Sequence, residues 1–461
     1  MKARLVSELE AIVGKDWVVT KREAMENYLV DETAPTVCPN PAADLVLVKP
    51  HSTLEVSSIL NFANKERIPI FPRGGGTGLV GGAVPTKNGI ILSLERMDKI
   101  EELDRENLMI VAEAGVTLEK LIKTADEAGF LFPPHPGDEG AQVGGLVACN
   151  AGGSRAVKYG TMRNYVKGIE VVLPTGSILN LGGKLLKNVA GYDLMHLLIG
   201  SEGTLGVITK VVLRLYPRFK ATTTLIVSYE DRHDAIRTVP RILQEGLVPL
   251  AIEYVEKKLI EKSAEHLGKK WPAKKGKAFL IIILTEHSED DVYFAAEVID
   301  KISRECNSID TLIAVRREEQ EEILSIRSNI YTALKPNSMD ILDVTVPPAN
   351  IAKLMDALDM LAEKYNIYLP MYGHAADGNL HPQIMTEEAG GLKEEDLERM
   401  KRMIYDICID LGGTITGEHG IGKIRVKDLN RYLDKKETEI MKKIKRIFDP
   451  NNILNPGKVL P

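Results

Sequence analysis

IPIFPRGGGTGLVGGAVPTKNGIILSL, residues 68 to 94, decides how the first half of the chain is read. Its glycines satisfy G-x-G-x-x-G at Gly76, Gly78 and Gly81, the spacing of a dinucleotide fingerprint. That fingerprint needs its third glycine at the start of a helix. Here the chain runs through Pro85 and a turn at Lys87 to Gly89 into GIILSL, an apolar stretch that reads as a strand. Strand, loop, strand is a different phosphate cradle. Successive glycines turn backbone N–H groups inward as an anion-binding nest, with Arg73 close by. A pyrophosphate held without a Rossmann crossover points to FAD bound in a second way.

At 461 residues and 44% hydrophobic, the chain exceeds a single core and predicts two or three domains. Its 59 basic and 65 acidic residues leave a net charge of -6, no field to hold nucleic acid. Cys38, Cys149, Cys306 and Cys408 show no CxxC and no ligand spacing, which fits a reducing compartment and argues against an iron-sulfur cluster on this chain. The N-terminal MKARLVSELEAIVGKDWVV is an amphipathic helix pattern without the apolar core of a signal peptide, and no stretch of about 18 apolar residues occurs. The expectation is a cytoplasmic protein without a transmembrane segment, a peripheral place at a membrane being left open.

Residues 1–43 read as a helix and a loop carrying Pro35, Pro39 and Pro41. Over 44–217 short strands alternate with helices such as STLEVSSILNFANKER and TLEKLIKTADEAG, an α+β pattern with a Gly-rich stretch from Pro133 to Gly160. In 218–404 the strands TTTLIVSYE and KAFLIIILTE are each followed by a helical pattern, which predicts a separate sheet with helices on one face. Between them, GKKWPAKKGK (268–277) carries five lysines and reads as a solvated loop, with a docking patch as its sharper alternative. Residues 405–461 form a helical segment expected to fold back on the first domain.

Two short Gly-rich segments carry the candidate chemistry: GHAADGNLHP with His374 and His381, and GEHGIG with Glu418 and His419. IYLPMY leads into the turn-forming DGN and then HPQIM, so the first segment reads as a hairpin on which the histidines could face each other. Two imidazoles and one carboxylate leave coordination positions open, as in catalytic metal sites. With His374, His381 and Glu418 as ligands, His419 is left as a general base.

PRGGGTGLVGGAVP, HPGDEGAQVGGLVACNAGGSRAVKYGTMRNYVKGIEVVLPTG and KNVAGYDLMHLLIGSEGTLGVITKVVLRLYP together resemble the FAD-binding domain of the vanillyl-alcohol-oxidase flavoproteins. GHAADGNLHP, GEHGIGK and NPGK resemble that family's branch of FAD-linked D-2-hydroxy acid dehydrogenases, in fixed order from about Asp44 to the end. The resemblance implies an α+β fold: a two-subdomain FAD-binding domain and an α+β cap, or substrate domain, with an antiparallel sheet. It sets Pro72, Arg73, Gly74, Gly75, Gly76, Thr77, Gly78 and Leu79 around the FAD pyrophosphate. Pro136, Gly137, Gly144, Gly145, Asn150, Gly152, Gly153, Tyr159 and Gly160 follow along the cofactor. Gly203, Gly206 and Ile208 lie near the adenine, and Asn455 reaches in from the C-terminus. Thr77 stands where members with covalent FAD carry His, so FAD is expected to be non-covalent; His135 stands where relatives often carry Asp.

The same resemblance implies a divalent metal on His374, His381 and Glu418, zinc first, with manganese and iron accepting the same donors. It implies His419 as the base that takes the hydroxyl proton of a D-2-hydroxy acid, with hydride passing to FAD, and Arg327 as the guanidinium for the substrate carboxylate. Relatives acting on 2-hydroxyglutarate carry a further basic residue where this chain has Ile341 and Leu342, which favours a short acid such as D-lactate. Three alternatives stand beside it: a flavoprotein subunit of a multi-chain glycolate-type dehydrogenase, a D-2-hydroxyglutarate dehydrogenase, and a metal-independent oxidase of the same fold acting on sugars or aryl alcohols. The electron acceptor (cytochrome, quinone, electron-transfer flavoprotein or iron-sulfur subunit) and the oligomeric state, a homodimer included, are left open.

Overall fold

Side-chain caps fix where the first helices start in the computed structural model, which describes residues 2–461. Ser52 Oγ accepts from the Glu55 N–H at the head of the Thr53–Glu66 helix, and Thr117 Oγ1 accepts from Lys120 N–H at the head of Leu118–Glu127. Among the described residues, Val18–Val19, Leu45–Val48, Gly89–Ser93 and Ile70–Arg73 form a four-stranded sheet in that order. Ile70–Arg73 and Gly89–Ser93 run parallel, and no helix joins them. The glycine loop is therefore a strand-to-strand connection. A second, five-stranded antiparallel sheet holds Ile100–Asp104, Met109–Glu113, Val207–Arg214, Val166–Val172 and Ile178–Gly182 in that order.

The N-terminal segment is more ordered than a helix and a loop. After the Lys2–Val13 helix, Val18–Val19 pairs antiparallel with Leu45–Val48, and Arg22–Tyr28 is a 3-10 helix. Adjacent β-branched residues suit an edge strand, and Trp17 is pinned beneath Arg96, whose guanidinium lies 3.6 Å from the ring centre.

The second half is built on a seven-stranded sheet ordered Asp310–Ala314, Ala221–Tyr229, Ala278–Glu286, Ala251–Glu256, Tyr372–His374, Asn379–Leu380 and Val344–Thr345. The pairings within it are antiparallel. Helices cover both faces, not one as the β-α units predict. Arg232–Gln244, Glu289–Glu305, Ile351–Tyr365 and Leu397–Asp410 pack on one side. Lys257–His266, Arg317–Ser328 and Ile330–Leu334 pack on the other. The physical reason is visible in Ala278–Glu286, whose first eight residues are all buried: a strand apolar on both sides has two faces to cover.

The 268–277 stretch is likewise not a free loop. Trp271 is buried edge-on against Phe279, ring centres 5.7 Å apart, while Lys270, Lys274, Lys275 and Lys277 stay exposed. Its tryptophan is core and cannot serve as a surface anchor. At the C-terminus, Leu454 bridges Ile70, and Ile453 and Leu454 are buried in the core of the first sheet.

Candidate active site

Register across the large sheet aligns one row of side chains. Glu253 stands opposite His374, His374 opposite Asn379, and Asn379 opposite Thr345. A slip of one residue would turn each of them to the other face, so the sheet itself holds the row. His374 and His381 flank the hairpin turn, their rings 5.4 Å apart and nearly perpendicular. The chain then adds to the sheet edge: Thr414 bridges Thr345 and Thr416 bridges Asp343, which delivers Glu418 and His419 to the same place.

Three imidazoles converge on one carboxylate oxygen. Glu418 Oε1 lies 3.4 Å from His374 Nε2, 3.5 Å from His381 Nε2 and 3.8 Å from His419 Nε2. The His381 and His419 rings stack at 5.0 Å. Among the described residues, Asp343, His381, Glu418 and His419 offer potential ligand atoms all within 4.8 Å of one another, a group that includes Asp343 and omits His374. Asp343 is already committed. Its Oδ2 accepts from Thr416 Oγ1 and from the N–H of Gly417, Glu418 and His419 at 2.7–2.8 Å, and its Oδ1 accepts from Asn379 Nδ2. His374, by contrast, presents Nε2 to Glu418 because its Nδ1 is engaged by Glu253 Oε1 at 2.6 Å. Carboxylates behind imidazoles are the usual means of orienting metal-binding histidines.

Electrostatics favour a cation here. Burial alone would lower His374, but Glu253 and then Glu418 overcome it and hold the imidazole well above its ordinary value. Burial, helped by the charge of His419, pushes His381 down to about 3, leaving a neutral ring. Burial raises Glu418, yet His374 outweighs it and keeps the carboxyl well below the usual range. The donor set of imidazoles and an ionised carboxylate fits a divalent metal, whose arrival would displace the proton on His374.

Sequence reasoning missed Glu253 and Asp343. Asp343 adjoins Ile341 and Leu342, and a buried Asp in an apolar stretch was its only signal; Glu253 in AIEYVE carried the same one. Arg327 is paired with Glu253, the carboxylate behind His374. Its Nη2 lies 2.5 Å from Glu253 Oε2, and its guanidinium stacks 5.0 Å from the Tyr372 ring centre, away from the groove wall described next. Its Nε has no acceptor.

Glu418 and His419 line a groove together with residues 72–80, with Ala141, Gln142, Gly144 and Gly145, and with Gly203, Gly206, Ile208 and Asn455. Pro136 and Gly152 also line it, whereas Gly137, Asn150, Gly153, Tyr159 and Gly160 do not. Asn150 caps its helix in a left-handed conformation and accepts from Thr161 and Arg163; Tyr159 packs among Tyr165 and Tyr216. The Arg73 guanidinium is engaged by backbone carbonyls. It donates to the carbonyls of Asn27 and Val30 at 2.7 Å and props the loop from beneath Gly76, where no Cβ would fit. Gly152 is required for another reason: a Cβ there would meet Glu418 Oε2 at 2.9 Å, so the groove wall touches the candidate ligand. His135 faces Glu139 at 3.5 Å.

A family model for FAD linked oxidases, C-terminal domain, matches residues 218–459, and one for an FAD binding domain matches residues 45–182. The chain belongs to the FAD-linked oxidases. Among the relatives of this FAD-linked oxidase, D-lactate dehydrogenase of Archaeoglobus fulgidus is 44% identical over 94% of this chain and 95% of its own. D-lactate dehydrogenase of Anaerostipes hadrus is 38% identical over 96% and 94%, and glycolate oxidase subunit GlcD of Bacillus subtilis 37% over 90% and 88%. A solved structure of p-cresol methylhydroxylase superposes with a TM-score of 0.78 at 18% identity, over 99% of this chain and 96% of that one. That likeness concerns the fold, which is the vanillyl-alcohol-oxidase type, as the motifs predict. The FAD-linked oxidase is an FAD-dependent dehydrogenase.

Cys149 lines the groove and is exposed, whereas Cys306 and Cys408 are buried. In cofactor-free protein Cys149, its thiol pushed up to about 12 by desolvation in the groove, is expected to take up a maleimide slowly at alkaline pH, and loading FAD to block it. Peptide mass spectrometry reads the site; equal labelling with and without FAD would mean the cofactor does not occupy this groove.

Proposed function

We propose that this FAD-linked oxidase converts a short D-2-hydroxy acid, D-lactate first, into the 2-oxo acid. The observation that carries the proposal is the convergence of His374, His381 and His419 on Glu418, which with His419 lines the groove. His374, His381 and Glu418 would hold a divalent metal, which would supply Lewis acidity toward the substrate hydroxyl. FAD, which Pro72 to Val80, Gly203 and Asn455 would hold in the groove, would supply a hydride acceptor for the same carbon. His419 takes the hydroxyl proton: it adjoins Glu418, lines the groove, and its Nδ1 has no partner. Glu253 and Asp343 orient His374 and the 417–419 backbone. Arg327 contributes positive charge behind His374, with its unpaired Nε as the donor left for a substrate carboxylate. A cytochrome, quinone, electron-transfer flavoprotein or iron-sulfur partner would reoxidise the enzyme.

Anaerobic absorbance after mixing with D-lactate, L-lactate, glycolate and D-2-hydroxyglutarate is the direct test. Rapid bleaching of the flavin is expected with D-lactate and not with L-lactate. Bleaching by glycolate in preference would favour the glycolate-type subunit. Removal of divalent metal with a chelator is expected to abolish bleaching, and zinc or manganese to restore it. A chelated enzyme that elemental analysis finds metal-free and that still reacts at full rate would end the metal proposal.

A further inference from the structure

We propose that Glu202 is a positioning residue for Glu418 and His419, and that it couples an occupied FAD groove to an assembled metal site. This rests on the function proposed above. The GEHGIG loop is suspended between two carboxylates from different halves of the molecule. On the cap side, Asp343 takes the N–H groups of Gly417, Glu418 and His419. On the FAD-binding side, Glu202 Oε1 accepts from Ile421 N–H at 2.8 Å and Oε2 from Gly422 N–H at 2.7 Å. Five of six successive amides are thereby held by two side chains, and the candidate ligand and base sit between the anchors.

Glu202 is tied to the groove by its backbone as well as by its neighbours. Its N–H donates to Ala148 O, its carbonyl accepts from Asn455 Nδ2 at 2.8 Å, and the next residue, Gly203, lines the groove beside Asn455. The residue itself adopts φ 51°, a left-handed conformation that non-glycine residues hold only when surroundings impose it. The loop approaches so closely that a Cβ at Gly420 would meet Glu202 Oε1 at 2.9 Å. Lys423 N–H donates to Val80 O, closing the far end of the loop onto the glycine-rich segment. A ligand that orders residues 72–80 and 203 therefore also orders the loop's FAD-side anchor. By linkage, FAD and metal should each tighten the binding of the other.

The test measures Mn²⁺ affinity by calorimetry with and without FAD, in wild type, Glu202→Gln and Glu202→Ala, alongside amide exchange of the 416–424 peptide without metal. Wild type is expected to bind Mn²⁺ more tightly when FAD is present. Glu202→Ala should lose that enhancement, weaken Mn²⁺ binding in the FAD-loaded protein by about 10- to 100-fold, the range for residues that orient ligands, and speed exchange of the peptide. Glu202→Gln, which keeps one acceptor oxygen, should fall between, and it carries the test if the alanine variant does not fold. Unchanged exchange in Glu202→Gln overturns the anchor. Faster exchange with wild-type FAD enhancement of Mn²⁺ binding overturns the coupling. Wild type that binds no Mn²⁺ in either state overturns the coupling and the metal reading together, while slow D-lactate bleaching with normal exchange and normal Mn²⁺ coupling counts against the proposed substrate alone.

Discussion

His419→Ala is expected to keep the yellow FAD spectrum and to lose about 10²- to 10⁴-fold in the rate of flavin reduction by D-lactate, the range for removing a general base. The side chain has few other duties. Its Nδ1 has no hydrogen-bond partner, and its ring stacks flat on His381 without holding another element in place. Its backbone N–H, which binds Asp343, survives the substitution. Anaerobic stopped-flow absorbance measures the loss, and metal content by elemental analysis should change little, because the proposed ligands remain. Wild-type reduction rates in a folded, FAD-loaded variant would remove His419 from the mechanism. A variant that loses its metal as well would move His419 among the ligands.

Asp343→Ala is expected to cost both metal and stability. One oxygen of Asp343 accepts from four donors, Thr416 Oγ1 and the N–H groups of Gly417, Glu418 and His419. Each donor left unpaired in a water-poor site costs about 1–3 kcal/mol, so the loop should rearrange and carry Glu418 out of reach of His374 and His381. Mn²⁺ affinity should fall by about 100-fold or more, beyond the loss of a single orienting group, and the melting temperature should drop. Asp343→Asn keeps an acceptor oxygen for these four donors but sets its amide against the Asn379 Nδ2 donor and removes the charge, so it should lose part of the affinity with less change in melting. Calorimetry and thermal unfolding check both. Wild-type Mn²⁺ affinity in Asp343→Ala would show that the loop holds its shape without this carboxylate.

Local sequence carried the cofactor half well because its signals are short-range. Pro85 and the Lys87 to Gly89 turn exclude a helix after the glycine loop whatever the rest of the chain does, and the structure joins strand to strand there. The GHAADGNLHP hairpin was equally legible, since a turn sequence and its flanking apolar residues lie within one segment. Helix placement on the large sheet was not: the order of β-α units says that helices cover a sheet, but the side each takes depends on strand order.

The site divides along the same line. By itself the sequence determined which residue types are present for the chemistry, His374, His381, Glu418 and His419, and that they follow an FAD-binding half whose motifs stand in family order. Only the tertiary structure decided what holds them. Glu253 comes from 121 residues before His374, Asp343 from 75 before Glu418, and Glu202 from 219 before Ile421. Arg327, matched by motif to a substrate role, is paired with Glu253. The proposed ligands can be read from local motifs because turn chemistry is local. Their carboxylate supports cannot, because strand pairing and domain packing bring them together across distances that no sequence spacing records.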